Sequence, residues 1–327
     1  MEAGRLAALL AALLGAAGAA RAQPQELAIA TAEGTGRIAV AASAPLEAPG
    51  AFRQALVILH GARRNADDYF RTGERAAAAA GVAQETLVLA PRFAAAADLA
   101  AGERPEMLRW AAQGWMEGGA ALGPAAVSSF AVLDALLLRL SDRARYPALR
   151  RIVLAGHSAG AQLLQRYAVM GRAEDAPGAA GIALRFVVAN PSSYLYFSPE
   201  RPEPAIAAAC PAADRWKYGL QGAPADAEAR SPAALEAAYV RRDLIYLLGG
   251  ADTDPQHRLL DRSCAGLAQG PNRHARGEAF FRYLAARHPE GLAHRLMEVP
   301  GVGHDQRGMF TASCGLAALF AAQPEDC

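Results

Sequence analysis

The sequence predicts an α/β fold in which a mostly parallel sheet is covered by helices on both faces. Three observations carry that prediction. Short apolar runs alternate along the chain with longer segments of helical periodicity, the pattern of right-handed crossovers between parallel strands. One run, Arg151-Ile152-Val153-Leu154-Ala155, leads directly into Gly156-His157-Ser158-Ala159-Gly160 and then into a small, then apolar, helical segment. Finally, 53% of the 327 residues are hydrophobic, enough to bury both faces of a large sheet within one domain.

The elements follow in order. Residues 26–31 and 37–42 flank Glu33-Gly34-Thr35-Gly36 and read as a hairpin. Gln54–Leu59 opens the alternating set, with a helix around 73–80 and a strand at 86–90 behind it. Residues 128–140 start with a serine suited to capping and carry a broad apolar face, as an amphipathic helix does. Strands are then expected at 150–155, 185–189, 244–248 and 294–299. Between 191 and 240 the rhythm breaks. Seven prolines, from Pro191 to Pro232, punctuate a stretch that also holds Tyr194, Tyr196, Phe197, Trp216 and Tyr218. It is too long for an ordinary connection.

The chemistry starts at Gly156-His157-Ser158-Ala159-Gly160. A G-x-S-x-G between strand and helix is a nucleophile elbow, a sharp turn that lifts the serine hydroxyl clear of the sheet edge. Glycine is needed at 156 and 160 because a side chain there would crowd the backbone where strand and helix meet. A serine hydroxyl is a weak nucleophile alone, so a base and an orienting acid are required. In chains with this elbow they follow in the order acid, then histidine. The strand at 244–248 ends in Gly249-Gly250-Ala251-Asp252-Thr253-Asp254-Pro255, and the strand at 294–299 leads into Gly301-Val302-Gly303-His304. His304 is the expected base. Asp252, early in its loop, is the favoured acid, and Asp254 is the alternative. As a structural residue, Asp254 would bond local amides in a turn before Pro255. His257 reads as a surface residue.

In these three parts and their order, the chain resembles the α/β-hydrolase superfamily over most of its length after residue 23. A fourth part supports the resemblance: Gln54–Leu59 runs into His60-Gly61, where the superfamily carries half of its oxyanion hole. The resemblance implies that the amides of Ala62 (or Arg63) and Ala159 face the oxyanion that develops in the transition state. The His-Gly-Gly-Gly run of lipases is missing, and His60 reads as a residue that structures the loop. The resemblance also implies that 191–240 is an inserted cap or lid, and Trp115 and Tyr194 are candidate substrate contacts. The activity implied is that of a serine esterase: cleavage of a small or polymeric carboxylic ester, or of an amide, by acyl transfer without a metal or organic cofactor. A peptidase, an acyltransferase and a non-catalytic binding protein are the alternatives on the same fold.

The first 22 residues are read separately. Arg5 precedes the apolar run from Leu6 to Leu14, and Ala20-Arg21-Ala22 offers a small-x-small cleavage site before Gln23. This is the order of a secretory signal peptide. Gly15, Gly18 and Arg21 leave the apolar run too short for a stable membrane span. The mature chain, 23–327, is therefore expected in the periplasm or outside the cell. A formal net charge of +1 and the lack of any basic run exclude a nucleic-acid partner. Four cysteines and no C-x-x-C argue for disulfides rather than zinc. Of the three possible pairings, Cys210–Cys264 with Cys314–Cys327 is expected. It would tie the inserted stretch to the loop after the acid strand and pin the C-terminal end.

Overall fold

The computed structural model describes residues 24–31, 34–98, 104–224 and 230–323. Among them, one sheet contains β1 (Pro24–Thr31), β2 (Gly34–Ala42), β3 (Gln54–Leu59), β4 (Thr86–Pro91), β5 (Arg151–His157), β6 (Ala183–Ala189), β7 (Asp243–Gly249) and β8 (His294–Val299). Their spatial order is β1-β2-β4-β3-β5-β6-β7-β8. The hairpin β1–β2 is antiparallel and β2 runs antiparallel to β4, whereas every later pair is parallel. The expected signal segment and Cys327 lie outside the described residues, so the pairing Cys314–Cys327 does too.

Alternation along the central strands sorts the core into two layers. Val57, Leu59, Leu154, Val188 and Tyr246 point to one side, where they pack with α2 (Ser129–Leu140), α3 (Ala159–Met170), α4 (Pro232–Tyr239) and α5 (Arg273–Arg287). Their neighbours Leu56, Ile58, Val153, Val187 and Leu247 point to the other, against α1 (Ala66–Ala79), α6 (Gln306–Thr311) and α7 (Ser313–Phe320). Strands buried on both faces read as continuous apolar runs, which is why they were visible in the sequence. Ser128 caps α2 by accepting a bond from the Ala131 amide, as its position predicted.

Two helices depart from the sequence reading. The helix expected around 73–80 begins at Ala66, because Asp67 and Asp68 suit the positive end of a helix and Tyr69 and Phe70 are buried beneath it. The helix α5, not anticipated, starts behind Asn272, whose side chain accepts a bond from Ala275 N. The proline-rich stretch also behaves unexpectedly at its start. Tyr194 and Tyr196 are fully buried, and Tyr194 stacks on Phe280 with centroids 4.7 Å apart. A disulfide joins Cys210 to Cys264 with their Cα atoms 5.7 Å apart, as expected.

Candidate active site

The chain reaches Ser158 along β5 and leaves it along α3. Ser158 takes φ 59° and ψ −117°, a conformation that costs a non-glycine residue on the order of 1–3 kcal/mol. The surroundings hold it there. Its amide donates to Ala189 O at 2.9 Å, and its carbonyl accepts from Gln162 N at 3.1 Å. A Cβ on Gly156 would stand 2.5 Å from Gly160 O, so strand and helix can meet this closely only with glycine.

Loops at the ends of β7 and β8 bring two more side chains to the serine. Ser158 Oγ lies 2.9 Å from His304 Nε2, and His304 Nδ1 lies 2.7 Å from Asp252 Oδ2. Since the carboxylate can only accept, Nδ1–H donates to it, leaving the Nε2 lone pair to accept from the hydroxyl. The two loops are stitched together by Ala251 N donating to Val302 O at 2.9 Å. Immediately after His304, Asp305 caps α6 by accepting from Gly308 N at 2.8 Å, which fixes the exit of this loop. Asp254 is elsewhere: exposed, its carboxylate accepts from Gln256 N at 2.8 Å in a local turn.

Arg273, at the start of α5, is fully buried, and its guanidinium reaches Asp252 Oδ1 at 3.3 Å. Burial pushes the Asp252 carboxyl up, but the His304 bond and the charges of His304 and Arg273 more than reverse this and hold it below the usual carboxylate range. For His304 burial is the largest influence and lowers its basicity. The Asp252 bond opposes it and the Arg273 charge reinforces it, and the outcome lies below an ordinary histidine. The neighbouring His157, whose ring centroid is 4.6 Å from that of His304, is held neutral by burial first and by the charges of His304 and Arg273 second.

On the other side, β3 delivers the loop at 60–64. His60 is fully buried and structures this loop: Nδ1–H donates to Gly61 O and Nε2 accepts from Phe93 N, both at 2.9 Å. Arg64 grips Asp98 through two bonds of 2.5 and 2.9 Å. Trp115 lies against the His60 ring at 4.7 Å with no exposed surface, so it braces the loop from behind and does not line the cleft. Tyr194 is likewise in the core. Neither candidate contact meets the cavities around the serine.

Two cavities meet at Ser158. One, of about 260 Å³, is bounded by Gly61, Tyr69, His157, His257 and His304 among others. The second, of about 420 Å³, is bounded by Ala159, Gln162, Ser192, Lys217 and Tyr218 among others. Ala62, Arg258 and Leu259 border both. Ala159 opens α3, so its amide is one of those with no partner inside the helix. From the stretch 191–240, Ser192, Lys217 and Tyr218 reach these walls.

The fold that carries these side chains matches solved structures of one kind. The protein is similar to poly(aspartic acid) hydrolase-1 from Sphingomonas sp. KT-1, with 26% identity, a TM-score of 0.59, and 88% of this chain and 96% of that one covered. It is also similar to LpqC, a poly(3-hydroxybutyrate) depolymerase from Bordetella parapertussis, with 21% identity, a TM-score of 0.62, and 93% and 92% covered. The chain is an α/β-hydrolase in fold. No protein-family model matches the sequence, and no curated protein matches it. Within this α/β-hydrolase, Arg273 is the site neighbour the sequence reading missed. An arginine at the start of a helix looks like a surface residue. Asn272 ahead of it was the available signal for where the helix starts, but a cap does not say which way the first turn faces.

Proposed function

We propose that the chain is a serine hydrolase of the esterase type, acting by acyl transfer. Ser158 Oγ attacks the ester carbonyl while its proton passes to His304 Nε2. The resulting oxyanion is stabilised by the amides of Ala62 and Ala159, each such donor being worth about 3 kcal/mol in the transition state. His304 then returns the proton to the departing alkoxide, and the alcohol leaves an acyl-serine. Water, deprotonated by His304, attacks the acyl carbon, and His304 returns that proton to Ser158 Oγ as the acyl–oxygen bond breaks and the carboxylic acid leaves. Asp252 keeps His304 in the tautomer this needs and stabilises the imidazolium. The observation that carries the reading is the unbroken run of hydrogen bonds from Ser158 Oγ through His304 to Asp252 at a strained elbow between two cavities.

Two features support finer statements. The Cys210–Cys264 disulfide favours an oxidising compartment, in keeping with export to the periplasm or beyond. No described helix is long and apolar enough to cross a membrane. Lys217 and Tyr218 at the wall of the larger cavity support a covering role for part of the stretch 191–240.

A second reading is amide cleavage in an acidic polymer. It is favoured by Arg63 and Arg258, exposed beside Ser158 without an ion-pair partner among the described residues, and by the likeness to the poly(aspartic acid) hydrolase. The deciding experiment is fluorophosphonate labelling of the mature protein, followed by assays on p-nitrophenyl esters of graded length and on poly(aspartic acid). Labelling with ester turnover supports the esterase. Turnover of the polymer alone supports the amidase, and labelling without hydrolysis points to acyl transfer to another alcohol. Neither labelling nor turnover would leave a binding protein.

A further inference from the structure

His257 lies in the loop after β7, half-buried in the wall of the 260 Å³ cavity that also holds Ser158 and His304. Its ring stands edge-on to that of His304, with centroids 5.0 Å apart. Two groups approach its Nδ1, the Arg273 guanidinium at 3.3 Å and the Leu259 amide at 3.3 Å. Both are obligatory donors: a guanidinium has no acceptor and does not lose its proton in proteins, and a backbone N–H can only donate. Nδ1 must therefore be the acceptor, and its one lone pair is shared between them. A proton on Nδ1 would set three N–H groups against one another.

We propose that His257 is a substrate-contacting hydrogen-bond donor, locked by Arg273 and the Leu259 amide in the neutral tautomer that carries its proton on Nε2. The inference rests on the hydrolase reading for the word substrate, but the tautomer follows from the geometry alone. Among the described residues nothing accepts a hydrogen bond from Nε2, and with Nδ1 turned to Arg273 and Leu259 the remaining N–H is left for a ligand in the cavity that His257 lines. Its partner would be an acceptor oxygen of the bound ester beyond the oxygen held by the amides of Ala62 and Ala159. A second cation cannot serve here in its place. Arg273 from α5 and His304 from the loop after β8 disfavour charge on the ring, which Asp252 and Asp254 in its own loop favour. Burial is the largest influence and acts with the first pair, so the ring is held below an ordinary histidine.

Arg273 thereby serves two neighbours at once, with one nitrogen on Asp252 and another on His257. The donor in the cavity and the orienting acid share a single buried anchor.

The test begins with the Ser158→Ala protein labelled with 15N-histidine, the His257 signals being assigned by their loss in a His257→Gln version. Expected at about pH 8, above the range where an imidazole takes up its second proton, is a proton on Nε2 and none on Nδ1. A neutral ring that carries its proton on Nδ1 overturns the proposal. Kinetics with p-nitrophenyl butanoate then compare two variants. In His257→Gln the side-chain amide can offer an N–H near the same place, so KM should stay within about twofold. His257→Leu should raise KM roughly three- to tenfold at nearly unchanged kcat, the signature of a lost neutral hydrogen bond to bound substrate. Equal defects in both variants, or no change in KM in either, would overturn it as well. If the unaltered protein hydrolyses no ester, the hydrolase reading fails on its own account. The spectrum still decides the tautomer.

Discussion

A Cβ added to Gly160 would stand 2.5 Å from the carbonyl oxygen of Leu59, on the neighbouring strand β3. The elbow is thus seated against the strand that leads into the loop at 60–64, and the distance between the two is set by an absent side chain. Gly160→Ala must push α3 away from β3. The expected result is a loss of about 1–3 kcal/mol of stability by denaturant unfolding, with markedly weakened fluorophosphonate labelling. Gly178→Ala is the control, since a Cβ there meets nothing within 4 Å. Its stability should be unchanged or slightly raised.

The two aspartates of the loop after β7 should separate cleanly. Asp252→Asn favours the wrong imidazole tautomer and should lower turnover on the order of ten-thousand-fold. It should also cost stability, because Arg273 is fully buried and loses the charge it is paired with. Asp254→Asn changes an exposed turn and should retain most activity. Steady-state kinetics and thermal melts of both variants check this. An active Asp252→Asn would remove that residue from the mechanism.

Ser158→Ala should abolish covalent labelling and reduce turnover by roughly a million-fold, leaving what positioning and the oxyanion donors supply by themselves. Intact-mass spectrometry after fluorophosphonate treatment reads the first effect, and ester hydrolysis the second. Retained hydrolysis would mean that another nucleophile operates.

The pH dependence has a definite sign. His304 must be neutral to take the serine proton, and its affinity for a proton is held below the ordinary histidine value of 6.5. Activity is lost as the pH falls through that lowered value, so the acid limb of kcat/KM should have its midpoint below 6.5. Asp252 acts on stability in the same direction. Its carboxyl is held below the ordinary 3.8, so its contribution is present above that value and lost as the pH falls through the depressed one. A pH–rate profile and melts in acid measure the two separately.

Removing the Cys210–Cys264 bond by a double serine substitution should destabilise the chain by about 2–4 kcal/mol, since it frees a loop spanning 54 residues in the unfolded state. The loop that carries Ser263, at the wall of the larger cavity, sits beside this bond. Denaturant unfolding with and without reductant gives the value.

How much of this was legible in the sequence differed by kind of interaction. The strands β3, β4, β5 and β7 were visible because burial on both faces makes each a run of apolar residues. Ser158, His304 and Asp252, which the structure brings together, could be named in advance because tight loops at strand ends leave glycines beside them. Trp115 and Tyr194 were misplaced since an aromatic residue looks the same whether it lines a cleft or fills a core. Arg273 was missed for the opposite reason, and His257, read as a surface residue, is half-buried. Their polarity reads as solvent exposure, and only the packing of α5 against the loop after β7 turns them inward.

The strand order has a consequence for how the protein is made. From β5 onward each new strand is laid down on the same growing edge of the sheet, first β6, then β7, then β8. During synthesis the serine therefore emerges and can be seated well before its two partners exist, with 146 residues separating it from His304. A nascent chain halted anywhere in that interval presents a hydroxyl with no base to activate it. On the proposed mechanism, the group that would activate Ser158 is the last part of the site to be synthesised.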